Sequence, residues 1–255
     1  MLNLFSIIVI GFFLGMRHAT DPDHVIAVTT IVSRQRSVGR AALIGAFWGL
    51  GHTVTSFAVG TAIILFNVVI PARLGLSMEL SVSIMLIALG LWNLASFLRS
   101  APGAAVNLHA AGAVHSHAGG GLVHAHLPGK SSLAALDRPS ARTGLYQYFR
   151  PLMVGIVHGL AGSAAVALLI LATIRNPTWA IVYLLIFGIG TIAGMMVITL
   201  SLASAFRLVG DRFARFNRRL ALVSGLISVG FGFFLAYEIC FVQKLFSSHP
   251  QWTPH

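Results

Sequence analysis

The chain has 255 residues, of which 56% are apolar and only 9% charged, and its mean hydropathy is +0.86. A soluble domain carries about 25% charged residues. This chain has too few to coat a globule in water, so lipid must be its solvent. Its net charge of +11 sits in short basic blocks between apolar runs, as in loops on the cytoplasmic face of a membrane. That placement excludes nucleic acid as a partner. The single cysteine, Cys240, allows no internal disulfide and no cysteine-based zinc site.

The first run begins at the N-terminus. Met1 to Met16 is apolar, without a basic leading region or a small-residue cleavage pattern, so it is expected to belong to a mature span and not to a signal peptide. In chain order the apolar runs are 4–32, 41–70, 77–98, 151–174, 179–206 and 220–243. Each can cross a hydrocarbon core ~30 Å thick as a helix, and lipid forces the backbone to bond internally. The expected fold is an all-α membrane protein of about six transmembrane helices.

Basic residues orient the spans. All but four of the 17 lysines and arginines fall in segments 33–40, 99–150 and 207–219; the exceptions are Arg17, Arg73, Arg175 and Lys244. By the positive-inside rule these three segments face the cytoplasm, and both termini face outward. Internal similarity divides the chain further. Gly15-x-x-His18 recurs as Gly155-x-x-His158, Gly49-Leu50-Gly51 as Gly188-Ile189-Gly190, and Gly90 as Gly230. Three spans per half make the second copy insert upside down, which gives inverted repeats with a site near the midplane between them. The expected parts are 1–98, a first membrane repeat; 99–150, a flexible cytoplasmic loop; 151–243, a second membrane repeat; and 244–255, a short tail.

The first run carries the densest chemistry: Arg17-His18-Ala19-Thr20-Asp21-Pro22-Asp23-His24. Ionisable groups inside a membrane cost at least ~2.5–3.5 kcal/mol each on insertion scales, so such a cluster implies a use, often with a cation balancing charge. Imidazole with carboxylate suits divalent first-row metals. On a regular helix, however, His18 and His24 lie about 240° apart and could not meet one ion. Pro22 supplies no backbone N–H and clashes with the carbonyl of His18. A helix broken at Pro22 would let His18, Asp23 and His24 converge, with Asp21 and Pro22 around them. Arg17 would pair with Asp21 or Asp23 when metal is absent.

The second run adds Trp48-Gly49-Leu50-Gly51-His52-Thr53. His52 is a further ligand or supports one, and Thr55 and Ser56 are placed to hold its other nitrogen, since a ligating histidine needs an outer partner; Thr53 is a supporting or gating candidate beside it. His158, the repeat mate of His18, has no carboxylate beside it; it serves either as a ligand or as a structural hydrogen-bonding group. Asn93 and Glu238 read as packing or helix-end residues. Between the halves, five of the 11 histidines crowd into one Ala/Gly-rich stretch: His109, His115, His117, His124 and His126. Such a tract on a flexible chain can bind metal loosely. No nucleotide-binding motif is present.

His18-x-x-x-x-Asp23-His24 within a membrane span resembles the His-x4-Asp-His signature of the nickel/cobalt transporter family. Leu14-Gly15-Met16-Arg17-His18-Ala19 and Leu50-Gly51-His52-Thr53 resemble that family too. The likeness is greatest to its shorter, six-span, UreH-like branch. It implies a permease of the bacterial inner membrane with Ni²⁺ or Co²⁺ as cargo and no resident cofactor. It also implies that His18, Asp23, His24 and His52 are needed for transport, and that urease or hydrogenase maturation proteins are partners. Longer uptake members carry a second acidic signature where this chain reads Val157-His158-Gly159-Leu160-Ala161-Gly162-Ser163. The His-rich loop resembles that of efflux members. Uptake is favoured through the urease-associated branch, with export as the alternative. Two readings of another class are a membrane-embedded metallohydrolase using Asp21 as base, and an accessory protein that only delivers metal.

Overall fold

The computed structural model describes residues 4–33, 35, 37–66, 70–99, 146–174, 176–210, 214–247 and 249–252. Helices α1 (Leu4–His18), α2 (Pro22–Val32), α3 (Val38–Phe66), α4 (Ala72–Arg99), α5 (Tyr146–Thr173), α6 (Pro177–Gly210) and α7 (Ala214–Tyr237) follow one another, and α7 runs into a π-helical turn, Glu238–Val242. There is no strand among the described residues. Four segments are long and apolar enough to cross a membrane: α3, α4, α6 and the stretch from Arg219 to Val242. The 28-residue α5 takes the fourth apolar run, and α1 with α2 shares the first. Phe13, Val54, Ile84 and Phe233 point outward with more than half their surface exposed, as lipid-facing side chains do. The protein is an all-helical integral membrane protein.

Helix ends differ from the apolar runs for a simple reason. The run marks the part matched to hydrocarbon, while hydrogen bonding continues beyond it. Helix α4 therefore starts just after Pro71, whose carbonyl accepts from Leu74 N–H and Gly75 N–H. Helix α5 begins inside what was expected to be loop. The histidines at 109, 115, 117, 124 and 126 lie outside the described residues.

The helices pack through glycine. A Cβ on Gly15 would collide with the Phe187 carbonyl oxygen of α6, and one on Gly155 would collide with the Trp48 carbonyl oxygen of α3. A Cβ on Gly190 would strike the Phe12 carbonyl, and one on Gly51 that of Leu152. Small residues let backbones approach this closely in membranes. The two sets correspond position by position, so α1 meets α6 as α5 meets α3. The third spans meet in the same way, with the register moved by two residues. A Cβ on Gly90 would press on Val229 and the Gly225 carbonyl, and one on Gly232 on Ile87 and the Ser83 carbonyl, whereas nothing lies within 4 Å of a Cβ on Gly230. The expected mate of Gly90 is therefore corrected from Gly230, which faces outward, to Gly232.

The tail folds back instead of trailing away. Lys244 takes a left-handed turn at φ 56°, Leu245 is buried with Leu76 and Ile239, and Gln251 N–H donates to the Gln243 carbonyl at 2.9 Å. Trp252 Nε1–H then reaches Glu79 Oε1 at 2.8 Å.

Candidate metal centre

Helix α1 ends at His18 because the next residues cannot continue it. Thr20 N–H donates to the Arg17 carbonyl at 2.8 Å and Asp21 N–H to the His18 carbonyl at 3.1 Å, a tight turn. Pro22, which has no N–H to give, occupies the first turn of α2, where its fixed φ is favourable. Asp21 precedes it with extended backbone (ψ 144°) and makes no side-chain cap. Its carbonyl accepts from Val25 N–H at 3.0 Å. The break thus comes one turn ahead of the proline, through the mechanism expected for it.

The consequence is convergence. The rings of His18 and His24 lie 4.7 Å apart between centroids, instead of on opposing faces of one rod. His52 of α3 stands 5.1 Å from His18, and His158 of α5 4.0 Å from His24. Two overlapping groups could grip an ion: His18 with His24 and His52, and Asp23 with His24 and His158. Within each, the ligand atoms fall within 4.8 Å of one another. His24, His52 and His158 are each at most 2% exposed.

The hydrogen bonds decide which nitrogens face inward. His18 Nδ1 meets Asp21 Oδ2 at 2.7 Å, and His24 Nδ1 meets Asp23 Oδ1 at 3.1 Å. His52 Nδ1 meets Ser56 Oγ at 3.4 Å, while the Ser56 hydroxyl donates to the Gly159 carbonyl at 3.3 Å. Placing the proton on Nδ1 satisfies all three rings and leaves three Nε2 lone pairs. Those of His18 and His52 are only 3.2 Å apart, and His24 Nε2 has no hydrogen-bond partner among the described residues. A buried acceptor without a partner costs about 1–3 kcal/mol, and facing lone pairs repel. A cation between them would relieve both. Carboxylate–histidine pairs of this kind orient metal ligands and raise their basicity.

Asp23 ties His24, the residue common to both groups, to His158. Its Oδ1 also accepts from His24 N–H at 2.9 Å, and its Oδ2 accepts from His158 Nε2–H at 2.9 Å. His158 Nδ1 is buried and unpartnered. So is Nε1 of Trp48, whose ring lies 6.0 Å from that of His158. Trp48 stands in the second-run motif, yet nothing in its spacing assigned it a place beside the site.

Two expectations, on Arg17 and Thr55, need correction. Arg17 is exposed and pairs with neither acid: Asp21 is taken by His18, and Asp23 by His24 and His158. Thr53 turns away from His52, because its hydroxyl donates to the Gly188 carbonyl at 3.0 Å and ties α3 to α6. Thr55 bonds the backbone carbonyls of Gly51 and His52, not the imidazole, leaving Ser56 as the ring's partner. Asn93 packs as expected, donating to the Ala221 carbonyl and Ser224 of α7.

Fold and site together define an integral membrane protein with a histidine–carboxylate cluster buried among its helices. The urease accessory protein UreH of Bacillus sp. (strain TB-90) is 34% identical over 244 residues, which cover 96% of each chain. The chain belongs to the nickel/cobalt transporter family, in its shorter UreH-like branch. No family model matches the sequence, and no solved structure matches it.

Proposed function

We propose that the protein is a secondary transporter that moves Ni²⁺ and/or Co²⁺ into the cell across the inner membrane. The observation that carries this is the trio of inward-facing Nε2 atoms on His18, His24 and His52, assembled by a broken helix at membrane depth. Opened backbone there is tolerated only against protein or a wet cavity. The ion would exchange part of its water for these nitrogens, with the Asp23 carboxylate, held by His158, balancing its charge. Rocking of the two halves would then present it to the other side. The sequence carries no nucleotide-binding motif, so an ion gradient or a partner would supply the energy. The site must also hold the ion loosely enough to let it go. By the Irving–Williams order Cu²⁺ would bind such ligands well, so selection rests on geometry and supply.

In this reading both termini lie outside and the 99–150 loop is cytoplasmic. Its histidines 109, 115, 117, 124 and 126 receive the ion there and pass it to maturation proteins of urease or hydrogenase. The name of the UreH relative fits inward delivery.

Cells producing the wild type and His24→Ala, compared for nickel and cobalt content, test the proposal. Higher metal in wild-type cells than in His24→Ala cells supports uptake. Lower metal means export, and equal metal removes transport. A flux of radioactive nickel into liposomes holding the purified protein excludes both an enzyme and a delivery subunit that moves no ion.

A further inference from the structure

A cavity of about 400 Å³ adjoins the histidine centre, and its lining runs from His18, Asp23, His24 and His158 to Glu79, Glu238 and Gln243. No lysine or arginine among the described residues lines it. Glu238 and Gln243 bracket the π-helical turn, closed by Gln243 N–H donating to the Glu238 carbonyl at 2.9 Å. Such turns occur mostly as single insertions, often at functional sites. This one brings two oxygen-bearing side chains to the same cavity. Gln243 is only 7% exposed, and its Oε1 has no hydrogen-bond partner among the described residues. A buried amide oxygen without a donor is costly unless a cation or its water meets it. Across the cavity Glu79 is held by Trp252 of the folded-back tail.

We infer that Glu79, Glu238 and Gln243 form a second, weaker stop for a hydrated divalent cation, next to the histidine centre. The inference rests on the transport reading for its role but not for its chemistry. Every atom offered is oxygen, the donor that hard or hydrated divalent ions accept. Among the described residues only the two histidine groups are tight enough to grip a bare ion. The carboxylates therefore hold the ion through its water. An ion reaching the cavity meets oxygen first, keeps its hydration shell, and then exchanges water for imidazole a short step away. Because Arg73 and Lys244 are the only basic residues of this end of α4 and α7, the positive-inside rule places the stop on the outer side. It is thus a loading station for uptake. The tail, through Trp252, positions Glu79.

Manganese(II) tests the site, because it prefers oxygen to imidazole and its spin resonance reports binding directly. The purified full chain should bind Mn²⁺ on its own. Glu238→Gln and Gln243→Leu should each weaken that binding by about tenfold or more, the scale of losing a supporting group. In cells, the same two variants should raise the apparent KM for nickel by a similar factor and leave the maximal rate within about twofold. Mn²⁺ binding unchanged in both variants overturns the inference. Mn²⁺ binding that follows the expected pattern in a protein that moves no nickel overturns the transport reading and leaves the site standing.

Discussion

Helices α1–α2 and α5 carry the same Gly-x-x-His and meet their partners through equivalent glycines, yet one is broken and the other continuous. After His18 the chain reads Ala-Thr-Asp-Pro-Asp-His; after His158 it reads Gly-Leu-Ala-Gly-Ser. The first half opens its backbone and gathers two acids and two imidazoles at the gap. The second half keeps its hydrogen bonds and offers a single imidazole from an intact wall. What separates them is proline with flanking aspartates, not the packing glycines. A shared scaffold thus holds one adjustable cluster against one fixed contact.

The scaffold is the costliest part to disturb. Gly15→Leu and Gly155→Leu would each drive a side chain into a neighbouring backbone carbonyl, and overpacking costs typically about 1–3 kcal/mol or more. Both variants should lower the thermal unfolding midpoint in detergent by comparable amounts. A large loss for one and none for the other would break the equivalence of the two halves.

Next comes the break itself. Pro22→Ala removes a residue about 3 kcal/mol less favourable than alanine inside a helix and restores an N–H to bond the His18 carbonyl. A continuous rod would then swing His24 away from His18. Cobalt affinity, read from its visible absorption, should fall by up to the order of 100-fold, while the protein still folds. Unchanged affinity would show that the turn at residues 19–21 forms without the proline.

Much of this was legible in advance, and the limits are physical. Lipid imposes a length and an apolarity that show through any sequence, so the runs could be read directly. Proline's missing N–H is equally local, and the break near Pro22 followed from it. The direction of a side chain is not local. Thr55 and Ser56 are both within reach of His52 by spacing, and only the neighbouring carbonyls of Gly51 and Gly159 decide where each hydroxyl goes. Arg17 looked like the counter-charge for the acids because no sequence shows that His18 lies nearer to Asp21. Glu79, Gln243 and Trp252 meet only because the tail turns back at Lys244, and no periodicity announces that.

Ser56→Ala refines the picture on the side of α3. It deletes the partner of His52 Nδ1, a long contact at 3.4 Å. A neutral hydrogen bond is worth about 0.5–1.5 kcal/mol, so cobalt affinity should drop by roughly 2- to 10-fold. Thr55→Ala should leave it unchanged, because Thr55 bonds only backbone carbonyls. An equal loss from both would mean that the ring is held by the helix as a whole.

The smallest effect is expected at Gly230, and it bears on how far the likeness of the halves extends. If the third spans matched in the register of the sequence repeat, Gly90 and Gly230 would respond alike to a methyl group. Instead, a Cβ on Gly90 would press on Val229 and on the Gly225 carbonyl, while one on Gly230 meets open space. Gly90→Ala should therefore lower the unfolding midpoint. Gly230→Ala should leave it unchanged or raise it slightly, since alanine is favoured over glycine in a helix by up to about 1 kcal/mol. A drop at both positions would make Gly230 the mate of Gly90 in place of Gly232, which presses on Ile87 and the Ser83 carbonyl as Gly90 does on Val229 and Gly225.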